Sequence, residues 1–249
     1  MVRSKLRYFS SHRLTLPIGH LGDVTVEHVA HHLPIVLEEA LQKAYATERH
    51  SLSDPSFISA LLSTSILAFD EAMASDVLDL FGGLEGLSKR SDAEIRRIIN
   101  DQHLGGENFR KTRLNMYGTT AIIALTDPKH DNLWVASVGD CQAVLVTQRD
   151  SGAWDSRNLT AQHNGYNHTE INRVRSEHPE ESECVVNGRV LGALAPFRCT
   201  CSYAITIFVE LTCLQVLETL PSNSRLSSHA GSFTTSSPAF MMCLRGRNS

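Results

Sequence analysis

The chain has 249 residues, of which 42% are hydrophobic, and a formal net charge of −4. This length suits one domain with a sizeable hydrophobic core. The slightly acidic balance gives no basic field that would attract nucleic acid or an anionic membrane. We therefore expect neither a nucleic-acid nor a membrane partner, and other partners must be inferred from a site.

The six cysteines lack the regular spacing of a secreted disulfide scaffold, and four of them fall in residues 199–249. This pattern predicts a reduced, intracellular protein. The spacing of Cys199 and Cys201 does not match a zinc knuckle, so free thiols are expected there. The longest apolar run, residues 203–217, contains Glu210 and is short for a membrane span, so no transmembrane helix is predicted.

The N-terminus is basic, with four Arg or Lys residues and no acidic residue before Asp23. This composition, together with several serines, is typical of a mitochondrial presequence. An arbitrary basic N-terminus is the alternative, and it would leave the protein in the cytoplasm. We assign residues 1–17 to this basic segment.

Two amphipathic helices are predicted next. Apolar residues recur at helical spacing over residues 23–45, with a bend expected at Pro34, and again over residues 55–81. Gly82 and Gly83 are expected to end the second helix.

Three histidines, His28, His31 and His32, have a spacing on the first helix that can bind zinc. They lack the glutamate of the metalloprotease motif H-E-x-x-H. A solvated helix face is therefore favoured over a metal site.

The middle of the chain has the pattern of β-strands, at residues 119–125, 133–138 and 143–147. Asp and Pro residues separate the first two runs, and Gly139 and Asp140 follow the second. This order predicts a three-stranded antiparallel meander. A helix at residues 167–177 and a short strand at 185–191, interrupted by Asn187 and Gly188, complete the predicted elements.

Several ordered sequence blocks stand out in the middle of the chain, beginning with GTTA at 118–121 and LWVASVGDCQAVL at 133–145. They are similar to blocks of the PPM (class 2C) metal-dependent protein serine/threonine phosphatases. GTTA at 118–121 resembles the family's G-S/T-T-A block, and LWVASVGDCQAVL at 133–145 resembles V-A-N-x-G-D-S-R-A-V-L. LTAQHN at 159–164 resembles L-T-x-D-H, and GRVLGALAPFR at 188–198 resembles G-R-L-L-G-x-L-x-P-F-R. The PFR ending and EHP at 177–179 are similar to the pyruvate dehydrogenase phosphatase branch.

The resemblance implies an α+β fold, namely an incomplete αββα sandwich of two antiparallel sheets flanked by helices. It covers residues 18–198 and then stops, since CTCS at 199–202 replaces the family's A-F-G-D. Residues 199–249 are therefore predicted to be a divergent, poorly ordered tail. If this tail does not replace the missing strands, the run at 133–138 would keep a neighbour on one side only.

The resemblance also implies hydrolysis of phosphoserine and phosphothreonine by a water held between two Mg²⁺ or Mn²⁺ ions. GHLG at 19–22 is similar to the end of the family's D-G-H-x-G motif, which makes His20 the predicted catalytic acid. Asp140 is the predicted metal ligand. Ile18 stands where the motif has its metal-bridging Asp, so metal binding is expected to be impaired. The resemblance suggests a phosphoprotein substrate such as the pyruvate dehydrogenase complex, or else an inactive or truncated protein that acts only by binding.

Overall fold

The computed structural model describes residues 14–20, 23–47, 54–200 and 240–245. Strands β1 and β8 are described by their backbone pairing alone. The helices are α1 Val24–Thr47, α2 Pro55–Leu78, α3 Gly83–Ser88, α4 Asp92–Ile99, α5 Glu107–Met116 and α6 His168–Glu177. The strands are β1 Leu14–His20, β2 Gly118–Thr126, β3 Asn132–Val138, β4 Val144–Gln148, β5 Trp154–Asn158, β6 Val185–Val186, β7 Arg189–Val190 and β8 Phe240–Arg245.

The main sheet has the strand order β1-β2-β3-β8, and every neighbouring pair is antiparallel. The predicted strands β2 and β3 are confirmed, and Trp134 and Ala136 on β3 are buried. Because β3 lies between β2 and β8, it has a strand neighbour on both sides. Together with the helices, this antiparallel sheet confirms the predicted α+β class.

Helices α1 and α2 cover one face of the main sheet. Their apolar stripes pack against alternate residues of β2 and β3, as expected for one-sided burial. Asp54 caps α2 by accepting a 2.9 Å hydrogen bond from the Ser56 amide, and Pro55 occupies the first turn. Helix α1 continues through Pro34. The shared core contains Val29, Leu33, Leu37, Leu41, Ile58, Leu62, Ile66, Phe69, Met73, Ile123, Leu125, Trp134, Ala136 and Val138.

The helical segment Pro55–Phe81 is long and apolar enough to cross a membrane, judged by length and composition alone. Helices in a protein core pass the same test, and one face of α2 is buried in the core that α1 and the sheet share. The Trp134 indole nitrogen also donates a 3.1 Å hydrogen bond to the Pro55 carbonyl, which ties β3 to the start of α2.

The predicted meander is wrong at its third strand. Strand β4 leaves the main sheet after Gly139 and pairs antiparallel with β5, which the sequence analysis missed. The reason is a contact with a later segment, since the Thr160 side chain accepts a 3.0 Å hydrogen bond from the Ala143 amide and donates a longer one to the Cys141 carbonyl. Apolar residues at this crossing cover the second face of the sheet: Ile122, Val135 and Leu159, with Leu133, Cys141, Ala143 and Leu145.

Helices α3 to α5 form a small helical unit that the sequence analysis also missed. Its core joins the end of α2 to α3 and α4 through Val77, Phe81, Leu87 and Ile95. These helices are short, at 6 to 10 residues, so each gives only a few repeats of a helical pattern.

Helix α6 follows as predicted, whereas the predicted short strand at 185–191 is a small hairpin of two strands. Asn167 caps α6 by accepting a 3.0 Å hydrogen bond from the Thr169 amide. Strands β6 and β7 are joined by Asn187 and Gly188, whose φ angles of 52° and 70° suit a tight hairpin turn.

The sequence-based segment boundaries do not coincide with the edges of the sheet. Strand β1 starts at Leu14, inside the predicted basic segment 1–17, whose residues 1–13 lie outside the described residues. Thr200 bridges to Thr119 and β8 pairs with β3, so both belong to the sheet although they fall in the predicted tail. Residues 201–239 and 246–249 lie outside the described ranges, and the prediction of poor order is not tested there.

Candidate functional site

The end of the main sheet brings together the backbone positions that the sequence analysis singled out. On β1, Ile18 pairs with Thr120 and His20 pairs with Gly118. On the other side of β2, Val138 pairs with Ala121, so the chain leaves β3 at the same end. Asp140 follows directly and is half-buried. The sheet therefore places the backbone of His20, the predicted acid, and Asp140, the predicted metal ligand, at the same end of its strands.

Gly139 leaves no room for a side chain. Its φ angle is 98°, and a Cβ at this position would lie 2.1 Å from Cγ2 of Thr120. The Arg198 carbonyl oxygen would be 3.3 Å from the same Cβ. Because both the backbone conformation and the space exclude a side chain, only glycine allows the turn before Asp140 to pack against β2.

His163 fixes this turn from the opposite side. The Gly139 amide donates a 3.2 Å hydrogen bond to His163 Nδ1, and the His163 amide donates a 3.1 Å bond to the Gly139 carbonyl. The Phe197 amide then donates to the His163 carbonyl at 2.6 Å. His163 therefore links the turn after β3 to the segment before Arg198.

Burial and nearby charge favour neutral His163. The residue is 2% exposed, and its burial, helped by the Arg198 charge, lowers the pKa of His163 below the ordinary value. The Glu170 charge acts in the other direction, and Arg173 adds to the lowering. An acceptor Nδ1 requires that the ring proton of the neutral form be on Nε2.

A carboxylate with two arginines supports the same region. Glu170, whose side chain is 5% exposed, accepts hydrogen bonds from Arg198 at 2.6 and 2.8 Å and from Arg173 at 3.0 and 3.2 Å. Arg173 also donates to the Phe197 carbonyl and pairs with Glu177. Burial tends to raise the pKa of Glu170, but the two arginines outweigh it and lower the pKa. The network joins α6 to the segment that ends at Arg198.

The family blocks quoted in the sequence analysis include His163 and Arg198, but they gave neither residue a structural role. Glu170 and Arg173 are three residues apart on a helix, which predicts that their side chains are neighbours. The third member, Arg198, is too distant in sequence for any such rule. The pairing of His163 with Gly139 gave no pattern in the sequence.

The described residues do not fit a two-metal centre. Mg²⁺ and Mn²⁺ prefer oxygen ligands and near-octahedral geometry. Asp140 supplies one carboxylate, and Ile18, paired with Thr120, carries no ligand atom. Among the residues that the structure describes, no three or more His, Cys, Asp or Glu side chains form a group that could hold a metal ion.

The remaining candidates lie elsewhere. His31 and His32 are exposed on α1 and His28 is half-buried. Cys199 is buried and its sulfur is not part of a disulfide, whereas Cys201 lies outside the described ranges. The side chain of His20 also lies outside the description, so its catalytic role stays a prediction.

Comparison with known proteins assigns the family. The sequence profile of the Protein phosphatase 2C family matches residues 62–200, which is more than half of the chain. This chain belongs to the protein phosphatase 2C family.

Its curated relatives include pyruvate dehydrogenase phosphatases. The chain is 42% identical over 83 residues to the human mitochondrial [pyruvate dehydrogenase [acetyl-transferring]]-phosphatase 2, covering 32% of this chain and 15% of that protein. It is 27% identical over 191 residues to mitochondrial [pyruvate dehydrogenase [acetyl-transferring]]-phosphatase 1 of Saccharomyces cerevisiae, covering 76% and 30%. The chain thus spans less than a third of the length of either relative.

A solved structure agrees with the fold. A C. elegans sex determining protein superposes with a TM-score of 0.51 at 17% sequence identity, covering 95% of this chain and 40% of that chain. At this identity the likeness concerns the fold alone.

Replacing the buried carboxylate should destabilise the site region. Glu170→Gln removes the negative charge that two largely buried guanidinium groups share, while Arg173 keeps its pair with Glu177, so we expect a loss of about 3 kcal/mol in the free energy of unfolding. Urea unfolding followed by circular dichroism measures this change. The exposed Arg149–Asp155 pair provides the matched control, since Asp155→Asn should cost less than about 1 kcal/mol. Equal effects of the two substitutions would contradict the role given to Glu170.

The stability of the protein should depend on pH through His163. Its folded-state pKa is lowered, so the unfolded chain binds the proton more tightly and the stabilisation is fully present only above about pH 6.5. It is lost as pH falls from that value toward the folded-state pKa. His163→Asn keeps an acceptor at the Nδ1 position and removes this titration, so its stability should decline less than that of the wild type between about pH 7.5 and pH 5. If the free energy of unfolding declines by the same amount in both proteins over this pH range, the assignment is excluded.

Proposed function

We propose that this chain is a protein serine/threonine phosphatase that hydrolyses phosphoserine and phosphothreonine in proteins. One observation carries the proposal: the turn with Asp140 is held by Gly139 and His163 at the sheet end where His20 is paired. In this proposal Asp140 binds Mg²⁺ or Mn²⁺, and His20 donates the proton to the leaving alkoxide. Because Ile18 supplies no second carboxylate, we expect metal binding to be impaired.

The proposed substrate is a phosphoprotein of the pyruvate dehydrogenase complex. Support comes from the names of the curated relatives and from the branch-like blocks EHP at 177–179 and PFR at 196–198. In the structure these blocks lie next to the buried network, since Arg173 binds both Glu177 and the Phe197 carbonyl. A mitochondrial location follows as part of the same proposal, supported by the basic composition of residues 1–17.

A second candidate function is favoured by Ile18. An aliphatic residue at this register position supplies no metal ligand, while the surrounding turn and its network are kept. The chain would then be a pseudophosphatase, or a truncated product, that binds a phosphoprotein without hydrolysing it.

A metal-dependent assay distinguishes the two candidates. With Mn²⁺ or Mg²⁺ and a phosphoserine peptide, Asp140→Ala should lower the rate of phosphate release by at least about tenfold, because losing even an indirect metal partner costs that much. Asp150→Ala, an exposed carboxylate in the β4–β5 turn, is the matched control and should leave the rate unchanged. If wild type and Asp140→Ala release phosphate equally, catalysis through this residue is excluded. Calorimetry that finds two tightly bound divalent ions per chain would argue against the pseudophosphatase.

Restoring a carboxylate at position 18 tests the reason for impaired binding. Ile18→Asp should raise Mn²⁺ affinity by at least about tenfold, since it adds a charged oxygen ligand on β1, at the end of the sheet where the turn of Asp140 lies. Ile18→Asn has nearly the same shape without the charge and should give little gain. Calorimetric titration with Mn²⁺ measures both variants, after circular dichroism has verified their folding. No gain with Asp would show that position 18 is not what limits metal binding.

A further inference from the structure

Two histidine rings lie side by side on consecutive turns of α1. The ring centres of His28 and His32 are 4.4 Å apart, with an angle of 41° between the planes. Residues four apart share one face of a helix, so both rings project from the same side of α1. His31 contacts His32 edge-on at 4.7 Å, but adjacent residues of a helix diverge in direction. Spacing alone favoured a solvated helix face, and the structure adds the contact between the imidazoles.

The separation of the two rings matches shared coordination of one ion. Zinc–nitrogen bonds are about 2.0–2.1 Å long, and the centre of an imidazole lies about 1.1 Å behind its nitrogen. Two imidazoles around one ion therefore have centres about 4.5 Å apart at the right angle of octahedral or square-planar coordination, and about 5.1 Å apart at the tetrahedral angle usual for zinc. The observed 4.4 Å is close to the right-angle value, so binding requires little movement of the helix.

Two residues of the neighbouring helix α2 favour metal binding by His28. The Phe69 ring stacks on His28 at 5.9 Å with an angle of 29°, which restricts the orientation of the imidazole. Asp76 acts on His28 with its negative charge, which would also attract a cation. Burial, together with the neighbouring His32, lowers the pKa of His28, and this favours the neutral ring that a metal requires. His32 is exposed, so an ion can reach the pair from solvent.

We propose that His28 and His32 bind a divalent late transition metal ion of the Zn²⁺ or Ni²⁺ type, with water completing the coordination. Imidazole suits these ions, whereas Mg²⁺ and Mn²⁺ prefer oxygen ligands. The site is independent of the proposed phosphatase function. With two protein ligands it should bind more weakly than a four-ligand structural zinc site.

Calorimetric titration of the full chain with Ni²⁺, in excess Mg²⁺, tests the proposal. His32→Ala should weaken the binding of one ion per chain by at least about tenfold, and His28→Gln should do the same. His31→Ala should have a much smaller effect. His103→Ala and His168→Ala remove other exposed histidines and serve as matched controls that should not change the titration.

Three results would overturn the proposal. They are the absence of Ni²⁺ binding by the wild type, equal binding by the wild type and His32→Ala, and an effect of His31→Ala as large as that of His32→Ala. Circular dichroism of each variant, together with its thermal unfolding, distinguishes loss of a ligand from loss of the fold. The exposed position of His32 makes its substitution the one least able to disturb the core.

Discussion

The packing of Gly139 against Thr120 is the constraint on which the arrangement of this domain depends. No side chain fits between these two residues, and the backbone at Gly139 has a conformation that favours glycine. The chain therefore turns away from the main sheet as soon as β3 ends. This exit places Asp140 at the end of the main sheet and carries β4 to the second face of the sheet. His163 then closes the turn with reciprocal hydrogen bonds.

Buried charge strengthens this arrangement at a distance from the sheet. Glu170 is removed from water, and two arginines compensate the cost of burying its charge through several charge-assisted hydrogen bonds. One of these arginines follows the segment that His163 binds, and the other belongs to α6. The network thus connects a helix, a loop and the end of the sheet that carries the candidate site. Packing of the small cluster around Val174, Cys184 and Phe197 supports the same connection.

The sequence predicted the long, strongly periodic elements well, since α1, α2, β2, β3 and α6 all occur near their predicted ranges. It failed where the decisive contact was distant or the element was short. Ala143 to Thr147 has a strand pattern, but nothing in that pattern tells which strand it pairs with. The hydrogen bond from the Ala143 amide to Thr160 decides this, and it joins residues far apart in sequence.

The candidate site was predictable to a similar extent. Sequence blocks placed Asp140 after a strand and His20 before the first helix, and pairing in the sheet brings both positions to one end. The lack of a carboxylate at position 18 was also visible in the sequence. The hydrogen bonds between His163 and Gly139 could not be predicted from the sequence, and neither could the sharing of Glu170 by two arginines. Each of these contacts joins segments that no periodic rule connects.

The two outer strands of the main sheet have a consequence for the order of folding. Leu14 pairs with Ala124 and Asn132 pairs with Arg245, whereas β2 and β3 are joined by a short turn. Closing such long loops costs more chain entropy than forming a local hairpin, and contacts of this kind slow folding. The β2–β3 hairpin is therefore expected to form before either outer strand is added. The strand that carries Ile18 and His20 would then join late, so the candidate site is completed only after much of the domain is in place.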